Sequence, residues 1–241
     1  MELQYLENAI KSADNVAILM GRAVAVDCGC MKFRDGDEAY DIEIEYGYSP
    51  DEMFSAAFYN TRTSTFFRFY KEKILAKPGE PDICIRTIKK MQDDGKCNVV
   101  VTRSIYGLCG RAGVRNVIEL HGSIFENRCP HCGATYDVEF MRAASGIPHC
   151  TRCGQAVRPQ LTLDGEMIPN EKVTRAATEI ARADTLLILG TSMDEALTQQ
   201  CIKYYTGSKI ILINEKERYS DNRADLVCHG KPRDILPKIY S

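Results

Sequence analysis

Cys129-Pro130-His131-Cys132-Gly133 and Cys150-Thr151-Arg152-Cys153-Gly154 are two C-x-x-C-G knuckles separated by 17 residues. Each offers two thiolates, and four thiolates complete the tetrahedral shell of one zinc ion, leaving no position for a substrate water. The implied metal is structural. A redox dithiol needs only one such pair, so the matched pair at this spacing points to metal. Gly133 and Gly154 stand where a tight knuckle needs positive φ just after its second ligand. His131 and His149 border the ligands, but four cysteines suffice without them.

A second set of residues follows buried-looking apolar runs. Gly190-Thr191-Ser192 follows residues 185–189, and Asn214-Glu215 follows residues 210–213. Small and hydroxylated residues at the carboxyl ends of strands suit backbone and ribose contacts at the switch point of an open sheet.

The elements that would position these groups follow from hydrophobic patterning. Residues 16–20, 99–101, 117–120, 185–189 and 210–213 are apolar on successive positions, as in strands covered on both faces. Helical stretches are expected over 3–13, 81–93 and 171–182. This β-α alternation predicts an α/β fold, a doubly wound parallel sheet of Rossmann type with right-handed crossovers. Two segments break the rhythm. Residues 35–74 carry an acidic patch, then Ser49-Pro50-Asp51-Glu52, which reads as a capping box with proline at the first helical position. An aromatic stretch with Phe66, Phe67, Phe69 and Tyr70 follows and reads as core. The second break, residues 122–157, holds the knuckles.

With 241 residues and 44% hydrophobic content, the chain can bury one large core and a satellite. Its 31 basic against 33 acidic residues give no counterion-release argument for nucleic-acid binding. Residues 16–20 are far too short a run to span a membrane, and residues 1–11 lack the pattern of an export leader. Eleven cysteines, an odd number with four at ligand spacing, fit a reducing compartment. A cytoplasmic protein is expected.

The knuckles directly follow Glu119-Leu120-His121-Gly122-Ser123, and here the chain resembles the sirtuins, NAD-dependent protein deacylases. Residues 21–34 line up without a gap on the family's G-A-G-I-S-x-x-S-G-I-P-x-F-R element, and residues 102–113 on T-Q-N-I-D-x-L-H-x-x-A-G. Arg158-Pro159-Gln160 through Gly165-Glu166 resembles the segment that pairs with the acyl-peptide. Ala224-Asp225-Leu226-Val227 and Leu236-Pro237 match the family's C-terminal pattern.

The resemblance implies a Rossmann-like nucleotide-binding domain over 1–34, 75–121 and 158–241. It implies a small domain with a helical part over 35–74 and a zinc-binding part over 122–157. Zinc would sit on Cys129, Cys132, Cys150 and Cys153. NAD or ADP-ribose would be held by Gly21, Arg22, Ala23, Phe33, Arg34, Thr102, Arg103, Ser104, Gly190, Thr191, Ser192, Asn214 and Glu215, and an acyl-lysine protein or peptide would enter the cleft. The family's proton-accepting histidine maps onto His121; a neutral imidazole suits that transfer. Read from its own context, His121 is a strand-end residue followed by glycine, open to a structural role as well.

Several positions differ from the family pattern. Ala23 and Ala25 replace a glycine and a serine, Cys28 another serine, and Lys32 falls where an aspartate is common. Thr102-Arg103-Ser104-Ile105-Tyr106 stands for T-Q-N-I-D, and Asp164 replaces an apolar residue. Each lost pocket hydrogen bond costs ~1–3 kcal/mol, so weak or lost turnover is expected. Two alternatives follow: an inactive sirtuin-like protein that binds ADP-ribose, another nucleotide or a protein partner, and an ADP-ribosyltransferase. Cys28 and Cys109 read as buried inert thiols.

Overall fold

The computed structural model describes residues 2–32 and 36–240. Nine strands are present among them: β1 (Val16–Met20), β2 (Cys97–Thr102), β3 (Val117–Glu119), β4 (Gly122–Arg128), β5 (Thr135–Tyr136), β6 (Arg158–Leu161), β7 (Thr185–Leu189), β8 (Lys209–Asn214) and β9 (Leu226–His229). Six form a sheet in the order β3-β2-β1-β7-β8-β9, with every pairing parallel. The strand order reverses between β1 and β7, where an open parallel sheet leaves a crevice at its carboxyl edge.

Alternate side chains of each strand feed two cores. Val16, Ile18 and Met20 of β1 and Leu187 and Leu189 of β7 pack with Leu6 and Ile10 of the first helix, Ile85, Ile88 and Met91 of the helix Ile83–Asp93, and Leu236 and Ile239 of the last helix. Ala17, Leu19, Leu186 and Ile188 face the other way, against Ala176 and Ile180 of the helix Asn170–Ala181. Successive residues are apolar because both faces of the sheet are covered. No helix among the described residues is long and apolar enough to cross a membrane.

The rhythm-breaking segments add short helices and a second, smaller sheet, and their buried side chains continue the core that one face of the large sheet feeds. In the first, Ser49 caps the short helix Pro50–Met53, its hydroxyl accepting from the Glu52 amide at 3.2 Å. Only this half of the expected capping box is formed. Phe66, Phe67, Phe69 and Tyr70 are fully buried; Phe66 stacks on Tyr70 at 5.9 Å and meets Tyr59 edge-on at 5.0 Å. They are core, as their spacing suggested. In the second segment, β4 pairs antiparallel with β5 and also with β6, which lies just beyond the segment, in a three-stranded sheet, order β5-β4-β6. The backbone of Asp164 exchanges hydrogen bonds with Phe54 and Ala56 at 3.0 and 2.9 Å, which ties the first segment to the chain that follows β6.

Candidate functional site

The carboxyl ends of β1, β2, β7 and β8 open into a cavity of about 540 Å³. Its floor depends on two glycines. The Gly21 amide donates to the Leu189 carbonyl at 2.8 Å, and a Cβ on Gly21 would lie 2.4 Å from the Gly190 carbonyl oxygen. Gly190 itself sits at φ +62°, with Val24 3.0 Å from where its Cβ would be. The turn after β1 and the turn after β7 can therefore lie against each other only without side chains. The Ala23 amide is taken up by the Gly190 carbonyl at 3.2 Å.

The cavity is lined by six basic side chains (Arg22, Lys32, Arg103, Lys216, Arg218 and Lys231) against four carboxylates (Asp27, Asp164, Glu195 and Glu215). A chain of net charge −2 thus carries a locally positive cleft, which attracts anionic ligands. Arg103 Nη1 pairs with Glu195 Oε1 at 2.5 Å, and Lys231 lies 3.6 Å from Asp27. Burial raises the Asp27 carboxyl above the usual range, opposed by the charges of Lys231 and Arg233.

His121 lies on the cavity wall, between the last residues of β3 and the first of β4. Its carbonyl accepts from the Thr162 amide at 3.0 Å, and the preceding Leu120 amide donates to Thr102 at 3.0 Å. The next residue, Gly122, has φ +79°, and a Cβ there would fall 1.8 Å from the Gln160 carbonyl oxygen. The backbone on both sides of the imidazole is thus held by the two sheets at once.

Beside His121, Ser104, Ile105 and Tyr106 also line the cavity, the Ile105 carbonyl accepting from the Ile124 amide at 2.9 Å. Thr102 Oγ1 accepts from the Ser104 amide at 3.0 Å, and Ser104 Oγ from the Tyr106 amide at 3.3 Å. These hydroxyls brace the turn after β2. The Tyr106 ring is buried, and its hydroxyl is enclosed with no hydrogen-bond partner among the described residues. Burial pushes this phenol far above its ordinary pKa, with Cys30, Tyr70 and Glu38 within electrostatic reach.

The four knuckle cysteines converge in the second segment, all sulfurs within 4.8 Å of one another. Cys129 and Cys153 approach to 3.4 Å, and Cys132 and Cys150 to 3.5 Å. A tetrahedral zinc ion with ~2.3 Å bonds needs sulfur–sulfur edges of about 3.8 Å, so the four donors fit one such ion. Gly133 and Gly154 have φ of +73° and +75°, as their place in the knuckles predicted, and their amides donate to the Cys129 and Cys150 carbonyls at 3.0 and 2.9 Å. The Tyr136 hydroxyl donates to Cys150 Sγ at 3.0 Å, and this bond foremost holds the Cys150 thiol down at about 6. Nδ1 of His149 is engaged by the Gly154 carbonyl at 2.9 Å, and neither histidine belongs to the cluster.

Of the residues singled out for the nucleotide, Arg22, Ala23, Arg103, Ser104, Gly190, Thr191, Ser192, Asn214 and Glu215 line the cavity together with His121. Gly21 and Thr102 sit behind its wall as structural supports. Phe33 and Arg34 lie outside the described residues. Cys28 and Cys109 are buried and their thiols raised by burial. The cavity also takes in Asp27, Phe54, Glu195 and Lys231, which sequence reasoning missed. Glu195 and Lys231 belong to no local motif; the available signal was position, since each follows a strand's carboxyl end.

Comparison with known proteins matches residues 21–196 to the Sir2 family. The "NAD-dependent protein deacetylase" of Clostridium perfringens is 32% identical over 99% of this chain and 98% of its own length. That of Clostridium acetobutylicum is 33% identical over the same shares. A solved structure from work on the mechanism and regulation of Sir2 enzymes superposes with a TM-score of 0.84 at 27% identity, covering 99% of this chain and 96% of the other. Another, from work on sirtuin substrate affinity, reaches 0.88 at 24% identity over 99% and 98%.

Proposed function

The chain belongs to the Sir2 family, and we propose that it is an NAD-dependent protein-lysine deacylase whose turnover is slow because its nicotinamide side is built for enclosure rather than for hydrogen bonding. The observation that carries this reading is the single cavity in which His121, the two glycine turns and the strand-end residues Thr191, Ser192 and Asn214 meet. The nucleotide-binding lobe would comprise 1–34, 75–121 and 158–241; residues 35–74 and 122–157 would form the small lobe.

The donor set suits an ADP-ribose moiety. Arg22 and Arg103 supply charge for phosphates, and Thr191, Ser192 and Asn214 supply short polar groups for a ribose. Bound NAD would contribute an electrophilic anomeric carbon with nicotinamide as its leaving group. His121, in its neutral form, would accept a ribose hydroxyl proton, and its anchored backbone fixes where that imidazole can reach. Tyr106 would wall the nicotinamide side, where its buried ring offers shape but no exposed polar atom. An acyl-lysine peptide would approach past Phe54 and Asp164. Zinc would hold the module from Cys129 to Cys153 without touching the chemistry, because its four-sulfur shell is closed.

The test is nicotinamide release from NAD with acetyl-lysine peptides, in wild type and His121→Ala. Peptide-dependent release that His121→Ala abolishes is expected. ADP-ribose binding without any release in wild type would replace the deacylase reading with that of a nucleotide-binding protein.

A further inference from the structure

The Arg103–Glu195 pair occupies a distinctive position. Arg103 directly follows β2, and its amide donates to the Met20 carbonyl at the end of β1 at 3.3 Å. Glu195 follows β7 by one turn. β2 and β7 flank β1 on opposite sides, so the guanidinium–carboxylate contact at 2.5 Å spans the carboxyl end of β1, over the Gly21 turn. That is the crevice in which open parallel sheets bind phosphorylated ligands. Both partners line the cavity.

Glu195 is poorly compensated there. It precedes the helix Ala196–Tyr204, and its side chain accepts nothing from that helix. Its Oε2 is enclosed and accepts no hydrogen bond among the described residues. Among the described residues, this carboxylate has one oxygen unsatisfied and Arg103 as its charged partner. Such a contact is readily exchanged for a better anion, and a pyrophosphate offers a guanidinium more acceptor oxygens and more charge than one carboxylate oxygen does.

We propose that Glu195 is an internal competitor for the nucleotide's phosphates: it holds Arg103 across the crevice and yields it when a pyrophosphate-bearing nucleotide enters. This rests on the reading of the cavity as a nucleotide site, but it makes a separate claim. The carboxylate at 195 lowers affinity for phosphate-bearing ligands, and it does so through Arg103.

The experiment is calorimetric titration of the full-length zinc-loaded protein with ADP-ribose, ADP and adenosine, in wild type, Glu195→Gln, Arg103→Met and the double variant. Glu195→Gln keeps size and polarity and removes the competing charge, so ADP-ribose and ADP should bind about twofold to fivefold tighter, the range of a partly exposed ion pair. Adenosine, lacking phosphate, should be unaffected. Arg103→Met should weaken ADP-ribose and ADP, and in the Arg103→Met background Glu195→Gln should bring no gain. Equal or weaker ADP-ribose binding by Glu195→Gln overturns the proposal, as does a gain that persists without Arg103. Binding by Glu195→Gln where wild type binds nothing supports it, and failure of both proteins to bind refutes it. Absence of nicotinamide release with the expected affinity pattern would sink only the deacylase reading; release without that pattern would sink only this one.

Discussion

Gly122→Ala isolates the contact on which the position of His121 depends. Gly122 is at φ +79°, and an added methyl would lie 1.8 Å from the Gln160 carbonyl oxygen and 2.9 Å from its carbon. The neighbour is backbone of β6, paired with β4 in register Gly122↔Leu161, so it cannot swing aside as a flexible side chain would. Two costs add: left-handed backbone for an L-residue, about 1–2 kcal/mol, and overpacking against fixed atoms, typically ~1–3 kcal/mol. Gly95 separates them. It has nearly the same φ, +75°, but nothing lies within 4 Å of its would-be Cβ, so Gly95→Ala incurs only the first cost. Urea denaturation followed by circular dichroism should place Gly122→Ala about 2–5 kcal/mol below wild type and Gly95→Ala ~1–2 kcal/mol below it. Nicotinamide release should fall in Gly122→Ala alone, because relief of the clash must move the chain between His121 and Thr162. Equal destabilisation of the two variants, or a Gly122→Ala protein with wild-type turnover, would refute the claim that this carbonyl contact positions the imidazole.

Further tests reach other parts of the molecule. Tyr136→Phe removes the donor to Cys150 Sγ and should weaken zinc binding about 10- to 100-fold in a chelator competition, whereas Cys150→Ala should release the metal and unfold the 122–157 module, seen as new protease cleavage there. Burial, and then the nearby charge of Glu126, raises the Glu119 carboxyl to about 7. Because the folded pKa lies above the unfolded one, Glu119 stabilises the fold fully only below about pH 4.3, and that stability is lost as pH rises to about 7. Glu119→Gln should therefore gain stability relative to wild type between pH 5 and pH 8, on the order of 2 kcal/mol in urea melts; a pH-independent difference would contradict the assignment.

The sheet was legible because its two-sided burial writes continuous apolar runs, and the five strands read from them are all present. β9 was not read as a strand, since only Cys228 among its residues is buried; it is strand because β8 offers it an edge, with Ile211 opposite Leu226 and Ile213 opposite Cys228. The zinc cluster was legible because its spacing encodes its geometry. The Arg103–Glu195 pair was not, because it joins loops that meet only after the strand order places β2 and β7 around β1. Gly122 looked like one more glycine of a motif; its necessity comes from β6, a strand contributed by residues far along the chain.

The wall residues Ser104 and Tyr106 and the charged floor divide the work of recognition unevenly. Ser104 Oγ accepts from the Tyr106 amide, which leaves its proton as a single donor, and Tyr106 buries its own hydroxyl in the adjoining core, so these two residues offer a ligand at that end at most one short polar group. Arg22, Arg103, Lys216, Arg218 and Lys231 leave the floor rich in cations. Affinity should then come from phosphate charge, and the nicotinamide ring should add little. Two consequences can be measured together by calorimetry. NAD and ADP-ribose should bind with dissociation constants within about threefold of each other, since one good hydrogen bond to the amide would contribute ~1 kcal/mol or more. Both should weaken in parallel as sodium chloride rises from low to physiological strength, where exposed charges are screened within about 8 Å. NAD binding tenfold tighter than ADP-ribose, or with little salt dependence, would mean that the wall contributes polar recognition its geometry does not offer.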